Sequence, residues 1–349
     1  MRLEARAQPS GAMALLSPLL ALAITVVIGT GLFWLLGKDP VRGLSMFFWE
    51  PIRTPYALTE LGVKATPLVL CALGLVVCFR ANVWNIGAEG QLLAGAMAAG
   101  AVALLATPAN GAWMLAPVLV AGVLGGMFWA SITAVLRDRA NANEILVSLM
   151  LVYVAQLLLA YLVHGPLKDP LGYNFPQSRL FVREVLMPRL VPGSRLHLGA
   201  LLALVAVPFV AVYLFRSFPG YKLQVGGLAP MAARYAGFSS RAALWQAMLL
   251  SGALAGLAGA IEAVGPLGQL TPYVSSGYGF AAIIVAFVGR LHPVGVVFAG
   301  LLMSMFYIGG ELAQSRMGLP NALTGVFQGV LLIALLASDT LINHRWRWR

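Results

Sequence analysis

The sequence has few charged residues. Only 10% of its 349 residues are Asp, Glu, Lys or Arg, whereas 60% are hydrophobic. A soluble domain carries about 25% charged residues. The shortage of charge excludes an ordinary soluble domain and indicates a polytopic membrane protein.

Metal-ligating residues are also scarce. The chain has two cysteines, Cys71 and Cys78, in one apolar run, and four scattered histidines. Positions seven apart lie on the same face of a helix, two turns from each other, so the two thiols are suited to packing. Two thiols are too few ligands for a metal site, so we expect neither a metal site nor a cofactor.

The chain lacks the phosphate-binding loop Gly-x-x-x-x-Gly-Lys-Ser/Thr. Without that loop it cannot hydrolyse ATP by itself, and we expect a non-catalytic subunit. An intramembrane enzyme ranks last, because the apolar runs hold no paired His and carboxylate. The small-residue stretch 251–260 follows no strand, so it favours close helix packing over nucleotide binding.

Basic residues outnumber acidic ones by 23 to 12, which gives a formal net charge of +11. Binding of nucleic acid would require this charge to be gathered on one exposed domain. Instead the charges are scattered between apolar runs, which is typical of membrane helices flanked by anionic lipid. We expect contact with membrane lipid and no nucleic-acid partner.

Ten apolar runs approach the length of about 20 residues that a helical membrane crossing requires. They lie near residues 13–36, 58–79, 86–106, 113–136, 144–164, 197–215, 245–266, 278–290, 292–310 and 321–338. The runs 86–106 and 278–290 are short or are interrupted by glycine, so these two need not cross the membrane fully. The sequence predicts one transmembrane domain, residues 1–349, of about ten helices.

The distribution of Lys and Arg predicts that both termini are cytoplasmic. The basic end of the chain, His-Arg-Trp-Arg-Trp-Arg, and the short loops decide this orientation. Residues 1–12 and the basic tail 339–349 are then cytoplasmic. The Pro-rich loop 165–196 is extracytoplasmic, and the long segment 216–244 is cytoplasmic.

The segment 216–244 contains the signal of a short helix. Pro230 suits a first helical turn and Gly237 suits a stop. Such a helix is marginal alone, but Ala233 on its body and protruding Arg234 and Tyr235 suit docking into the groove of a partner. An amphipathic helix resting on the membrane surface is the alternative interpretation.

Polar residues interrupt the apolar sequence at 82–95, where Asn85, Glu89 and Gln91 stand among glycines. An ionisable residue at this depth usually faces a protein interior or a wet cavity. Irregular backbone there is tolerated only where protein or water satisfies it. The stretch predicts a broken or re-entrant helix start beside a path for a polar solute.

A second glycine-interrupted stretch, with Ser275, Ser276 and Tyr278, stands in the other half of the chain. Paired interruptions of this kind indicate a transporter site at the bilayer midplane. We predict that both stretches converge on the solute path, through Asn85, Glu89, Gln91, Ser275, Ser276 and Tyr278. The alternative is that these side chains only bond helices to one another.

Four stretches together resemble a known family. The first is Asn82-Val-Trp-Asn-Ile-Gly-Ala-Glu-Gly-Gln-Leu-Leu93, and the others are 143–153, 165–170 and 227–237 with 251–259. They are similar to the inner-membrane permeases of ABC importers in the branched-chain amino acid and ribose superfamily. Within that superfamily the BmpA-linked nucleoside permeases are the most similar.

The resemblance implies the type II importer fold, all-α, with about ten helices in inverted repeats in a bacterial inner membrane. It implies a second related permease, a cytoplasmic ATPase docked on the helix 229–238, and an extracytoplasmic binding protein. The small polar solute would be a nucleoside or purine. The alternatives are a pentose or hexose permease and an ion-coupled secondary transporter using Glu89 and Glu262.

Overall fold

The structure is a computed structural model. It describes the backbone of residues 2–5, 11–320 and 322–347 and the side chains of residues 16–320 and 322–341. The chain forms two compact units, residues 1–61 with 302–349 and residues 62–301. The predicted single domain 1–349 stays a prediction.

Nearly all of the described chain is helical. The helices are α1 (Gly11–Leu35), α2 (Pro40–Phe48), α3 (Glu50–Arg53), α4 (Pro55–Arg80), α5 (Ala88–Leu105), α6 (Leu115–Ala140), α7 (Glu144–His164), α8 (Leu198–Arg216), α9 (Phe218–Leu228), α10 (Pro230–Tyr235), α11 (Ser240–Glu262), α12 (Tyr278–Val288), α13 (Pro293–Met317) and α14 (Ala322–Asn343). Short 3₁₀ turns cover Pro108–Asn110, Ala112–Met114 and Arg183–Val185, and a π-helical turn covers Ala263–Leu267. Two strands, β1 (Arg2–Ala5) and β2 (His344–Arg347), pair antiparallel.

Within the described ranges, nine helices are long and apolar enough to cross a membrane: α1, α4 to α8, α11, α13 and α14. The remaining predicted run, 278–290, corresponds to α12, which has 11 residues. At 1.5 Å per residue it is about 16 Å long, or about half of the hydrocarbon core. The predicted all-α polytopic fold is confirmed.

The first and last crossings run in opposite directions. Near the start of α1, the Ser17 hydroxyl donates to the carboxylate of Asp339 near the end of α14. Further along α1, Gly29 lies against the ring of Phe327, near the start of α14. A chain whose first and last helices are antiparallel crosses the membrane an even number of times. The side of the membrane on which the two termini lie stays a prediction.

Aromatic side chains form the core of the first unit. The rings of Phe47 and Phe327 stack with centroids 4.4 Å apart, and Phe33 and Phe306 pack beside them. All four side chains are buried. Aromatic pairs of this kind contribute about 0.5–1.5 kcal/mol beyond their buried area, and here they join α1, α2, α13 and α14.

Glycines bring α5, α6 and α11 of the second unit into backbone contact. A Cβ atom on Gly126 would lie 2.2 Å from the Gly252 carbonyl oxygen, and one on Gly95 would lie 2.4 Å from the Cα of Gly256. Side chains at these positions would overlap the neighbouring helix. The close packing predicted for the stretch 251–260 is confirmed, and it makes these three helices one rigid block.

The loop between α7 and α8 is fastened to the π-helical turn that follows α11. The Met187 N–H donates to the Val264 carbonyl at 2.9 Å, and the Phe181 N–H donates to the Gly268 carbonyl at 2.8 Å. At the end of the loop, Nδ1 of His197 accepts the Gly199 N–H and caps α8. Nε2 of His197 is buried without a hydrogen-bond partner among the described residues.

We expect His197 to make the protein less stable in acid. Burial lowers the pKa of His197 from its ordinary 6.5 to about 4. The unfolded chain therefore binds the proton more readily, and the free energy of unfolding falls by up to about 3 kcal/mol as the pH drops from 6.5 towards 4. The variant His197→Asn keeps a capping side chain and is expected to reduce the fall in melting temperature between pH 7.5 and pH 5.

The matched control is His164→Asn, which removes an exposed histidine at the end of α7. Its melting temperature in lipid nanodiscs should depend on pH as that of the wild type does. An unchanged pH dependence in His197→Asn would show that His197 does not limit stability in acid.

Candidate translocation site and cytoplasmic surface

Two helices begin at the same point inside the second unit. Helix α5 starts after Gly87, and α12 starts after Gly277, whose φ of +84° is a left-handed conformation that favours glycine. A Cβ atom on Gly279 would lie 2.2 Å from the backbone nitrogen of Glu89. Only a residue without a side chain allows the two helix starts to come this close.

Glu89 lies in the first turn of α5, and its carboxylate also accepts a hydrogen bond from the start of α12. The Gly279 N–H donates to Oε2 of Glu89 at 2.7 Å. Beside it, the Ser275 hydroxyl oxygen accepts the N–H groups of Gly277 and Tyr278 at 3.2 Å and 3.1 Å. The residue is only 2% exposed. Helix N-termini carry partial positive charge, so two of them compensate one buried anion.

From Glu89 the two helices run in opposite directions. Along α5, Gly100 lies against Leu270, in the segment that leads to α12. At the C-terminal end of α12, Phe287 stacks on Phe79 with ring centroids 5.1 Å apart and also lies beside Trp84. Both partners precede α5 in the chain, so α12 extends away from the direction that α5 takes. Interrupted helices that start together and diverge are the geometry of a midplane site between inverted repeats.

A lysine that sequence reasoning did not assign to the site lies beside Tyr278. Nζ of Lys64, in α4, donates to the Tyr278 hydroxyl at 3.3 Å and lies 5.9 Å from the centre of its ring. Glu262, buried at the end of α11, interacts electrostatically with Lys64 and with Arg195. The signal was a lysine inside the apolar run 58–79, since ionisable residues in membrane helices are rare and mark function.

We call Lys64, Glu89, Ser275, Tyr278 and Glu262 the Glu89 cluster. It offers both signs of charge, a hydroxyl and a buried aromatic ring. Lys64 bonds to the Tyr278 hydroxyl, the Tyr278 N–H bonds to Ser275, and Glu89 bonds to the neighbouring Gly279. Polar groups placed in this way can orient a neutral polar solute by hydrogen bonds.

Asn85 and Gln91 lie in a different network, completely buried. Nδ2 of Asn85 donates to Ser251 Oγ at 2.9 Å and to Gln91 Oε1 at 3.2 Å, and Nε2 of Gln91 donates back to Asn85 Oδ1 at 3.2 Å. The same oxygen accepts the Gly87 N–H at 3.0 Å. These bonds fix the turn before α5 to α11.

The structure therefore divides the six predicted path residues. Glu89, Ser275 and Tyr278 share the Glu89 cluster, and Asn85 and Gln91 bond to each other and to Ser251 and Gly87. Ser276 is exposed. The interpretation that polar side chains join helices to one another fits Asn85 and Gln91. Contact of any of the six with a solute stays a prediction.

The predicted short helix of the cytoplasmic segment is present as α10. Pro230 occupies its first turn, and Gly237, with φ of +77°, follows its end. Ala233 is buried, whereas Arg234 is exposed and Tyr235 is 96% exposed. The helix prediction is confirmed, and docking of a partner on it stays a prediction.

Comparison with known proteins defines the class. The family described as branched-chain amino acid transport system / permease component matches residues 57–336. That range covers more than half of the chain, so the chain belongs to this family of type II ABC importer permeases, and the predicted resemblance is confirmed. ATP hydrolysis in this family belongs to a partner subunit.

Three curated relatives align along most of their length. A glucose ABC transporter permease protein of Haloferax volcanii is 35% identical over 94% of this chain and 89% of its own. A guanosine ABC transporter permease protein of Bacillus subtilis is 30% identical over 93% of each chain. A nucleoside ABC transporter permease protein of Lactococcus lactis is 26% identical over 91% of this chain and 89% of its own.

In each of these three organisms a second protein also matches, with the same substrate in its name. The second matches cover 80%, 74% and 79% of this chain, less than the first ones. Among solved structures, the PsaBC complex of Streptococcus pneumoniae with Fab aligns with 84% of this chain and 95% of its own, at 11% identity and a TM-score of 0.45.

We expect Glu89→Gln to impair transport. An amide cannot replace the charge of a carboxylate that lies in the first turn of α5 and accepts a backbone N–H at the start of α12, and a hydrogen bond to a charged group contributes about 1.5–3 kcal/mol. ATP-driven uptake into proteoliposomes should fall by about tenfold or more. Glu184→Gln, on the loop between α7 and α8, is the control and should transport normally. Normal uptake by Glu89→Gln would show that the charge at this position is dispensable.

Proposed function

We propose that this chain is the permease subunit of an ATP-driven importer for nucleosides or purines, and that it forms the path by alternating access with a second permease. The observation that carries the proposal is the pair of interrupted helices that start together at Glu89. Interrupted helices at a repeat interface are where transporters bind their solutes.

The site chemistry suits a neutral polar solute. The Glu89 carboxylate already accepts backbone donors, and Lys64 faces both Tyr278 and Glu262. The opposite charges are therefore compensated within the protein, and a solute of high charge would disturb that balance. A nucleoside offers hydroxyl groups for hydrogen bonds and a flat base for stacking on an aromatic ring.

The names of the relatives support this substrate class. Permeases for guanosine and for nucleosides match this chain, and so does a protein named as a probable riboflavin import permease. Guanosine, nucleosides in general and riboflavin all join a flat heteroaromatic ring to a polyhydroxylated chain or ring. The solute of this permease is proposed to share that chemistry.

A sugar is the second candidate. The relative named for glucose is 35% identical to this chain, above the 30% of the guanosine permease. A hexose or pentose would use the hydroxyl and charged groups of the Glu89 cluster and would stack a sugar face on Tyr278. The two candidates differ in the need for a flat base.

An ion-coupled secondary transporter using Glu89 and Glu262 is not favoured. Both carboxylates have partners within the protein, Glu89 with backbone donors and Glu262 with basic side chains. A coupling ion would have to displace those partners. Membership of the ABC permease family instead assigns the energy source to an ATPase.

We propose three protein partners in a bacterial inner membrane, with both termini of the chain cytoplasmic. The paired matches within single organisms support a second, related permease in a heterodimer. An extracytoplasmic binding protein is proposed to deliver the solute to the side of the loop 165–196. A cytoplasmic ATPase is proposed to dock on α10.

Helix α10 has the surface of a docking element. Leu228, Met231 and Tyr235 are at least 80% exposed, which leaves an apolar patch uncovered around Arg234. Behind the helix lies a cavity of about 310 Å³, lined by Lys222, Pro230, Ala233, Arg234 and Phe238 among others. Exposed Tyr, Met and Arg side chains are the types enriched at protein interfaces.

The substrate test uses the complete complex in lipid. We expect a binding protein loaded with a nucleoside to stimulate ATP hydrolysis and uptake, and the empty binding protein to stimulate neither. The panel holds guanosine, adenosine, uridine, guanine, glucose and ribose. Stimulation by the sugars alone would establish the second candidate, and uptake by this chain alone, driven by membrane potential, would contradict the importer class.

The docking test uses the double variant Arg234→Glu with Tyr235→Ala. Loss of a central aromatic and arginine contact commonly costs about 2 kcal/mol or more. We expect binding of the ATPase to weaken by at least about tenfold and uptake to fall with it. Arg139→Glu, an exposed charge reversal at the end of α6 on the same side, is the matched control. Unimpaired assembly and uptake in the double variant would contradict docking on α10.

A further inference from the structure

Arg80, the last residue of α4, holds three segments of the chain together. Its Nε donates to the Leu291 carbonyl at 2.7 Å, and its Nη1 donates to Oε1 of Gln224 at 2.7 Å. The guanidinium also lies over the ring of Phe215, 4.9 Å from its centre. The side chain is therefore committed to protein contacts, although an arginine at a helix end usually extends into water or towards headgroups.

The first contact reaches the helix that starts at Glu89. Leu291 belongs to the short linker that follows α12, so Arg80 holds one end of α12 and Glu89 holds the other. Arg290 and Leu291 have φ of 59° and 50°, both left-handed. Such conformations are unfavourable for every residue except glycine, because Cβ comes too close to the backbone. Arg80 thus bonds to a linker held in a conformation of higher energy.

The second contact reaches the helix that leads to α10. Gln224 lies in α9, which continues through Ala229 into α10, and its Nε2 donates to the Leu214 carbonyl at 2.6 Å. Helix α9 is also pressed on the end of α4, because a Cβ atom on Gly227 would lie 2.3 Å from the Arg80 carbonyl oxygen. Displacement of α9 therefore acts on Arg80 directly.

We call the place where Arg80 meets α9 and the linker after α12 the Arg80 junction, and the space beside this junction is partly open. A cavity of about 430 Å³ lies beside Arg80 and is lined by residues of the same segments, Phe79, Asn82, Gln224, Gly227, Leu228, Arg290 and Leu291. In contrast to the glycine-packed block of α5, α6 and α11, the junction is joined by polar contacts next to open space. Because Gly227 already touches the Arg80 carbonyl oxygen, the free space is available for movement of α9 away from the end of α4.

We propose that Arg80 is the positioning residue that transmits movement of α10 to α12 and so to the Glu89 cluster. This inference rests on the proposed function. Displacement of α9 and α10 by the ATPase pulls on the guanidinium through Gln224, and the guanidinium releases or pulls the Leu291 carbonyl. The strained linker then relaxes and moves the C-terminal end of α12.

Arginine suits this role because its planar fork directs donors at two acceptors at once. A lysine carries its charge at one point and cannot keep both fixed directions. The test variant is therefore Arg80→Lys, which retains the charge and much of the side-chain length. The measured quantity is the amount of solute transported per ATP hydrolysed by the full complex with loaded binding protein.

We expect Arg80→Lys to hydrolyse ATP at a basal rate within about twofold of the wild type, and to transport at least about tenfold less solute per ATP. The matched control is Arg137→Lys in the last turn of α6. Arg137 also bridges two groups on that side, with Glu144 at 3.2 Å and Asn141 at 3.2 Å, but it contacts neither α9 nor the linker after α12 in any of the described contacts. It should transport the normal amount per ATP.

A second variant covers a failure of the first to assemble. Gln224→Ala removes the hydrogen bond between Arg80 and α9 and leaves the bond from Arg80 to the Leu291 carbonyl. It should therefore also lower the amount of solute transported per ATP while ATP hydrolysis continues. A merely structural role predicts loss of folded complex with no change in this ratio for the complexes that remain.

The outcomes separate the two levels of the proposal. A wild-type complex without ATP-driven uptake would overturn the proposed function. A coupled wild type, together with a normal transport ratio in Arg80→Lys, would overturn only the role of Arg80. If Arg80→Lys does not assemble, a normal ratio in Gln224→Ala overturns it.

Discussion

The structure of the second unit depends on how one buried carboxylate is compensated. Glu89 lies in the first turn of α5 and accepts the Gly279 N–H at the start of α12. A buried unpaired carboxylate would cost several kcal/mol, and two helix N-termini supply the opposing partial charge without a counter-ion. Because both helices must begin at this point, the requirement also fixes Gly277 and Gly279, which allow the turn and the close approach.

Two kinds of contact hold the second unit, and they differ in how they can change. Helices α5, α6 and α11 touch through glycine backbones, so any relative shift produces overlap. Helix α12 is held at its ends by hydrogen bonds, to Glu89 at the start and to Arg80 at the linker that follows it. Hydrogen bonds can exchange partners at a small net cost. The alternating access proposed above would move α12 relative to this block by exchange of those hydrogen bonds.

The compensation of charge within the Glu89 cluster also bears on selectivity. Lys64 and Glu262 offset each other, and the Tyr278 hydroxyl accepts from Lys64. If the proposed solute binds at this cluster, hydroxyl and ring contacts would decide which solute is preferred, rather than net charge.

The membrane class, the ten apolar segments, the short helix 230–235 and the two interrupted stretches could all be predicted from the sequence. These features follow from local physics: hydropathy over a span, helix start and stop residues, and the cost of polar groups in an apolar run. Tertiary structure decided the rest. Lys64 belongs beside Tyr278, and Ser251 bonds to Asn85 although 166 positions separate them. Which polar residues face one another depends on how distant helices pack, and no spacing within one segment encodes that.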